Sequence, residues 1–151
     1  MPIQMEVLNM KFPKKLGMWL LSSSLLFSGV CLADDTVAGV TAMTQNGISY
    51  VSGGIGEAQQ QALKTMRKDY NLLLTFAIEK SGEYLADVKV SIQDAKGKKI
   101  LETVSPGPLF YAKLPQGKYR ITAESHETPL SKSTTIKKTG ARDLYFYWEA
   151  K

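Results

Sequence analysis

The spacing of apolar residues along the chain changes from a helical to a strand period at Asn71. Between Glu57 and Tyr70 the apolar side chains recur three or four positions apart, at Ala58, Ala62, Leu63, Met66 and Tyr70. This period predicts one amphipathic helix over residues 57–70. Because only one of its faces is apolar, the helix needs another surface to cover that face.

From Asn71 onward the apolar residues alternate with polar ones, as at Leu72, Leu74, Phe76 and Ile78. Polar or glycine- and proline-containing turns, such as SPGP at 105–108, separate these runs every 8 to 12 residues. Alternation with turns at that spacing predicts an antiparallel β-sandwich, mainly β and preceded by the one helix. Its seven strands are expected at 72–78, 88–93, 100–104, 109–113, 119–123, 130–137 and 143–148.

The first 33 residues have the order of a secretory signal peptide. Basic residues at 11–15 precede an uncharged apolar run, Leu16 to Val30, and small residues then lead to Ala33. We expect cleavage after Ala33, with Met10 as the true start. The apolar run is too short for a membrane span, so no transmembrane anchor is expected after cleavage. The alternative is a lipid anchor on Cys31, although Val30 stands where lipoproteins have a small residue.

The segment between the signal peptide and the predicted sandwich contains three parts. Residues 34–47 have no sustained period and are expected to be a flexible leader. Ile48 to Val51 predicts a short strand, and SGGIG at 52–56 leads into the helix. The glycine loop lacks the spacing of a nucleotide-binding loop, so we interpret it as a tight turn. The β-sandwich then occupies residues 71–151.

Charge and cysteine content exclude several functions. Without the first 33 residues, which hold three lysines and one glutamate, 16 basic and 13 acidic side chains remain, a net charge of +3. This small excess is spread along the sequence, which argues against nucleic-acid binding. No cysteine remains after cleavage, so thiol catalysis and disulfides are excluded. Stability must come from packing.

Two stretches carry a family resemblance: YLADVKVSIQDAKGK at 84–98 and ETVSPGPLFYAKLPQGKYRITA at 102–123. The second contains a Leu-Pro-x-Gly-x-Tyr pattern from Leu114 to Tyr119, although Ser-Pro-Gly-Pro replaces the usual Asp-x-x-Gly turn. These stretches resemble the carboxypeptidase regulatory-like domain, a transthyretin-like or Ig-like β-sandwich. The resemblance also extends to small exported proteins of Gram-negative bacteria. It implies a folding, docking or binding unit without catalytic residues.

The residues themselves give little support for an enzyme. His126 is the only histidine, so a multi-histidine metal centre cannot be built, and we expect it to be a solvated turn residue. The fold also includes a hydrolase acting on hydroxyisourate, but its several-histidine site and Tyr-Arg-Gly-Ser terminus are not matched here. No metal site or cofactor is indicated. We therefore expect no enzymatic activity.

Aromatic residues near the end of the chain are the candidate binding surface. In a strand over 143–148, Phe146 and Trp148 would share the core face, while Tyr145 and Tyr147 would point outward. Tyr111 follows Phe110 in a similar split. We expect the helix to cover the outward tyrosines. The alternative is an open aromatic platform that binds a glycan or a protein.

The sequence thus predicts an exported, periplasmic or secreted accessory module that binds an envelope protein or assists assembly. A carbohydrate or peptidoglycan-fragment binder is the alternative, and a small hydrolase comes last. The polar strand over 130–137 is expected to be a sheet edge, which its lysines would protect from pairing. We accordingly expect a monomer.

Overall fold

The structure is a computed structural model that describes residues 36–150. The predicted signal peptide at 1–33, its cleavage site at Ala33, the start at Met10 and the alternative anchor at Cys31 lie outside the described residues. Across the part of the chain that is described, no helix is long and apolar enough to cross a membrane.

Residues 36–150 form eleven strands, one α-helix and one short 3-10 helix. The first four strands are β1 (Thr36–Val37), β2 (Val40–Thr41), β3 (Met43–Gln45) and β4 (Ile48–Gly53). Helix α1 (Glu57–Met66) and the 3-10 helix (Arg67–Asp69) follow. The remaining strands are β5 (Leu72–Ile78), β6 (Val88–Asp94), β7 (Lys99–Ser105), β8 (Leu109–Lys113), β9 (Gly117–Ser125), β10 (Thr128–Ile136) and β11 (Arg142–Trp148).

Two sheets form the body of this mainly β fold. One has four strands in the order β10-β9-β6-β7, and the other has five in the order β11-β5-β8-β4-β3; β1 and β2 form a separate pair. All seven predicted strands are present as β5 to β11, and β10 lies at a sheet edge as expected. The short strand predicted at 48–51 is confirmed as β4, which joins the five-stranded sheet. The prediction of seven strands in the sandwich is nevertheless too low, because β3 and β4 also belong to that sheet and β1 and β2 form a further pair.

The prediction of a purely antiparallel sandwich is wrong at β11, which pairs with β5 in parallel from Arg142↔Leu72 to Trp148↔Ile78. These two strands are far apart in sequence and are connected through the other sheet. No hairpin turn therefore imposes the antiparallel direction on them. The turn signals in the sequence report only on neighbouring strands.

The main core lies between the two sheets and contains the inward residues of both. Phe76, Phe110 and Phe146 are its largest fully buried side chains, and Trp148 packs against Phe76 with ring centroids 6.3 Å apart. Each comes from an apolar position of an alternating strand. The alternation in the sequence therefore identifies this core correctly.

A second, smaller core lies on the outer face of the five-stranded sheet, under α1. Leu63 of the helix packs there with Val51, Leu73 and Tyr111. The predicted helix over 57–70 is confirmed, but its last turn, Arg67–Asp69, is a 3-10 helix. The result is three layers: helix, five-stranded sheet and four-stranded sheet.

The expectation of a flexible leader over 34–47 is wrong for the described part of that segment. Strands β1, β2 and β3 lie within it, and Val40 is fully buried in the second core. Gln45 accepts a hydrogen bond from the backbone N–H of Glu102, and Asn46 donates one to the carbonyl of Ile100. These two side chains bind the backbone of β7 at the edge of its sheet. The sequence does not reveal these contacts, because the two residues are short and polar.

The Leu-Pro-x-Gly-x-Tyr turn is held by two sets of hydrogen bonds. The Tyr119 hydroxyl donates to the carbonyl of Pro115 at 2.8 Å, and the Asn71 side chain bonds both the N–H and the carbonyl of Leu114 at 2.8 Å. Gly117 does not have a positive φ; it is the first residue of β9. Side chains, rather than a glycine conformation, therefore fix this turn.

Candidate functional site

Tyr145 and Tyr147 lie on the outer face of β11, while Phe146 and Trp148 point into the core, as their alternation predicts. The side chains of Tyr145 and Tyr147 are 46% and 50% exposed. Their rings are nearly parallel, with planes 7° apart and centroids 6.2 Å apart. The expectation that the helix covers them is therefore wrong.

The position of α1 explains why these tyrosines remain open. The helix covers Val51, Leu73 and Tyr111, which belong to β4, β5 and β8. Strand β11 is the edge of the same sheet and lies beyond these strands. Tyr111 is only 5% exposed, so its assignment to a binding surface is corrected: it supports the helix instead.

Tyr84 joins the exposed tyrosines from a different part of the chain. It is 54% exposed and pairs with Ala77 of β5, which on its other side pairs with Tyr147. Residues directly opposite one another in a sheet share a face. Tyr84 and Tyr147 therefore stand on either side of the small Ala77, about 10 Å apart at two strand spacings. We call Tyr84, Tyr145, Tyr147 and the intervening Thr75 and Ala77 the tyrosine face.

Tyr84 could not be assigned to this face from the sequence, because it lies between β5 and β6, where no alternation indicates which way its side chain points. An isolated bridge to Ala77 positions it, supported by the hydrogen bond from the N–H of Leu85 to the carbonyl of Phe76 at 3.1 Å. The length of this connection, Glu79 to Asp87, was the one available sign that part of it returns to the sheet.

An ion pair stands at one end of the tyrosine face. Arg67, just after α1, donates from Nη2 to both carboxylate oxygens of Asp143 at 2.7 and 2.8 Å. Asp143 shares the outer face of β11 with Tyr145, two residues further along. Burial raises the pKa of Tyr111 beneath this pair, while the charge of Arg67 opposes that rise. The ion pair thus ties the end of the helix layer to the strand that carries the tyrosines.

His126 borders a cleft of about 670 Å³ at the other end of β11, which adjoins the tyrosine face because Tyr147 also lines it. Glu79, Glu149 and Trp148 also line it, so His126 shares this cleft with acidic residues from two distant segments. His126 and Glu127 occupy the two positive-φ positions of the β9–β10 turn, which confirms the predicted chain reversal. Within residues 36–150 the imidazole has no hydrogen-bond partner, and no three metal-binding side chains gather there or elsewhere.

The glycine-rich loop at 52–56 is a turn into α1, as expected. The side-chain carbonyl of Gln59 accepts the N–H groups of Gly54 and Ile55 at 3.1 and 3.2 Å, and Gln60 donates to the carbonyl of Gly54. A phosphate would need those same N–H groups. Because the helix's own glutamine already binds them, the loop does not form a phosphate cradle.

No protein-family model matches the chain, and no curated protein matches it. Among solved structures, 5-hydroxyisourate hydrolase of Klebsiella pneumoniae is similar, with a TM-score of 0.43 and 20% sequence identity over 53% of this chain and 90% of the other. A likeness of this degree carries no argument about the fold or the function of this chain.

The expectation that the chain is not an enzyme is corrected by this match, because the matched protein is a hydrolase. The likeness assigns no reaction to this chain. The carboxypeptidase regulatory-like domain, the more specific resemblance, has no counterpart among the matches.

Proposed function

We propose that the chain is a saccharide-binding module of the bacterial envelope and that the tyrosine face is its binding surface. The observation that carries the proposal is the set of three exposed tyrosines on one sheet face, two of them with nearly parallel rings. Export by the predicted signal peptide remains part of the proposal. It would place the module among envelope glycans.

The chemistry of the tyrosine face suits a sugar ring. A pyranose has an apolar C–H face that packs on an aromatic ring, and hydroxyl groups around its rim that need polar partners. Tyrosine offers both an apolar ring and a hydroxyl. Ala77, between Tyr84 and Tyr147, is only 3% exposed, so a ligand would contact the tyrosine rings rather than the sheet beneath them. The large aliphatic side chains that are exposed elsewhere, such as Ile55 and Val104, are not part of this face.

A protein partner is the second candidate, favoured by the position of the tyrosines on β11. This strand ends the five-stranded sheet, and a partner strand could add to its edge. Exposed tyrosines beside such an edge would then act as anchors, because tyrosine is enriched among residues that dominate binding energy. This candidate predicts capture of a protein rather than of a soluble oligosaccharide.

The test is calorimetric titration of the purified protein with oligosaccharides derived from bacterial envelope glycans. Replacing both Tyr145 and Tyr147 with Ala should weaken binding at least about tenfold, or about 1.4 kcal/mol. Replacing both with Phe should retain most of the affinity, because the rings remain. An Ile55→Ala, Val104→Ala variant controls for loss of exposed apolar area elsewhere.

Thermal unfolding must first show that all variants are folded. Saccharide binding that is unchanged in the folded Tyr145→Ala, Tyr147→Ala protein would refute the tyrosine face as the site. If no oligosaccharide binds and a protein is captured through the same tyrosines, the second candidate replaces the first.

A further inference from the structure

The fold gathers basic residues that are scattered in sequence into one cleft of about 710 Å³. They come from three segments: the end of the helix, the end of β8 and the loop between β10 and β11. We call the group the basic cleft, and its cations are Lys64, Arg67, Lys68, Lys113, Lys137 and Lys138. Asp69 is the one carboxylate that lines it. Positive charge that is spread along the sequence is therefore concentrated at one place in the fold.

Local structural roles account for part of this cluster only. Lys64, Arg67 and Lys68 lie near the C-terminal end of α1, where cations complement the helix dipole. Lys113, Lys137 and Lys138 belong to other elements and have no such role. Among residues 36–150, none of the five lysines has a carboxylate within 4.0 Å, and Arg67 is engaged by Asp143. Like charges so placed repel one another unless an anion lies between them.

The basic cleft adjoins the tyrosine face through the Arg67–Asp143 pair. Arg67 lines the cleft and binds Asp143, and Tyr145 follows Asp143 on the same face of β11. Two residues along a strand correspond to about 7 Å, which is less than the length of a disaccharide. A ligand that lies on Tyr145 can therefore reach the Arg67–Asp143 pair, where the basic cleft begins.

We infer that the saccharide bound by the tyrosine face is acidic, with carboxylate or phosphate groups that enter the basic cleft. This inference rests on the proposed function and adds the ligand's charge to it. Lysine ammonium groups act as point charges, so they select for negative charge rather than for one anion geometry. Sugar rings would be recognised at Tyr145 and Tyr147, and the negative groups at Lys113, Lys137 and Lys138.

The experiment compares a neutral oligosaccharide with uronate-containing and phosphorylated oligosaccharides of the same length. We expect both acidic ligands to bind at least tenfold more tightly at low salt, and the difference to shrink in 0.5 M salt because exposed charges are then screened. A Lys113→Gln, Lys137→Gln, Lys138→Gln variant should lose this advantage and bind the neutral ligand as before. The control is Lys96→Gln, Lys98→Gln, Lys99→Gln, which removes the same charge from the β6–β7 turn and the first residue of β7 and should keep the advantage.

The two proposals fail in different ways. Equal affinity for neutral and acidic ligands, or an equal loss in both lysine variants, would overturn the inference and leave the tyrosine face as the site. Full affinity for every ligand in the Tyr145→Ala, Tyr147→Ala variant would instead overturn the proposed function. If only one acidic class gains affinity, the inference holds for that class and identifies the anion.

Discussion

At the scale of single residues, Tyr119 shows how a sequence signature is converted into a structural constraint. Its ring is buried in the main core, and its hydroxyl reaches back four residues to the carbonyl of Pro115. Burial, with a smaller contribution from the charge of Asp94, raises the pKa of Tyr119 above its usual value of 10.0. The Leu-Pro-x-Gly-x-Tyr pattern therefore encodes one hydrogen bond as well as a turn.

The raised pKa has a defined consequence for stability. The folded state holds the Tyr119 proton more tightly than the unfolded state, so the associated stability is fully present below pH 10 and is lost as the pH rises through the folded pKa. Tyr119→Phe should cost about 0.5–1.5 kcal/mol at pH 7, the value of one hydrogen bond. It should also reduce the loss of stability above pH 10.

Denaturant unfolding at several pH values measures both effects. Tyr84→Phe is the matched control, because the Tyr84 side chain is exposed and its hydroxyl has no hydrogen-bond partner in the described chain. An alkaline loss of stability identical in wild type and Tyr119→Phe would show that other groups cause it. Tyr111, whose pKa burial also raises, would be the next tyrosine to replace.

At the scale of strands and helices, local patterns predicted more than long-range ones. Strand β8 has the predicted bounds and the neighbouring strands differ by one or a few residues, because alternation and turn residues act over short distances. Three features could not be predicted: the parallel pairing of β11 with β5, the formation of strands β1 to β3, and the return of Tyr84 to the sheet. Each depends on contacts between segments that are distant in sequence.

The candidate site follows the same division. The outward direction of Tyr145 and Tyr147 could be predicted from strand alternation alone. Whether α1 would cover them could not, because that depends on where the helix docks across the sheet. The basic cleft was equally hidden, since Lys113 and Lys137 become neighbours only after β8 and the β10–β11 loop are in place.

The SPGP turn between β7 and β8 supplies a prediction at this scale. A Cβ added to Gly107 would overlap the backbone carbonyl of Gly53, at the end of β4. Because backbone cannot move aside as a side chain does, Gly107→Ala should destabilise the protein by about 1–3 kcal/mol or more. Gly117→Ala is the control, since its Cβ would meet only the Tyr119 side chain at 3.5 Å. Equal midpoints of thermal unfolding for the two variants would contradict this interpretation of the turn.

At the scale of the whole molecule, two cores of unequal size hold three layers. The main core joins both sheets, whereas the second core holds α1 and β2 on the outer face through a few residues such as Val40 and Leu63. Regions with less buried apolar surface open at lower free energy. The helix layer should therefore open more readily than the sandwich, even though both belong to one chain.

Leu63→Ala tests this difference, because Leu63 is fully buried and belongs to the second core alone. Removing its side chain should weaken the helix layer by about 2–5 kcal/mol. Hydrogen exchange should then accelerate in residues 57–69, while β6 and β9 at the centre of the four-stranded sheet keep their protection. Ile121→Ala in the main core is the comparison and should accelerate exchange in both layers. Uniform acceleration in Leu63→Ala would mean that the layers unfold as one unit. Arg67, which joins the basic cleft to the tyrosine face through Asp143, would then be held as rigidly as the sandwich itself.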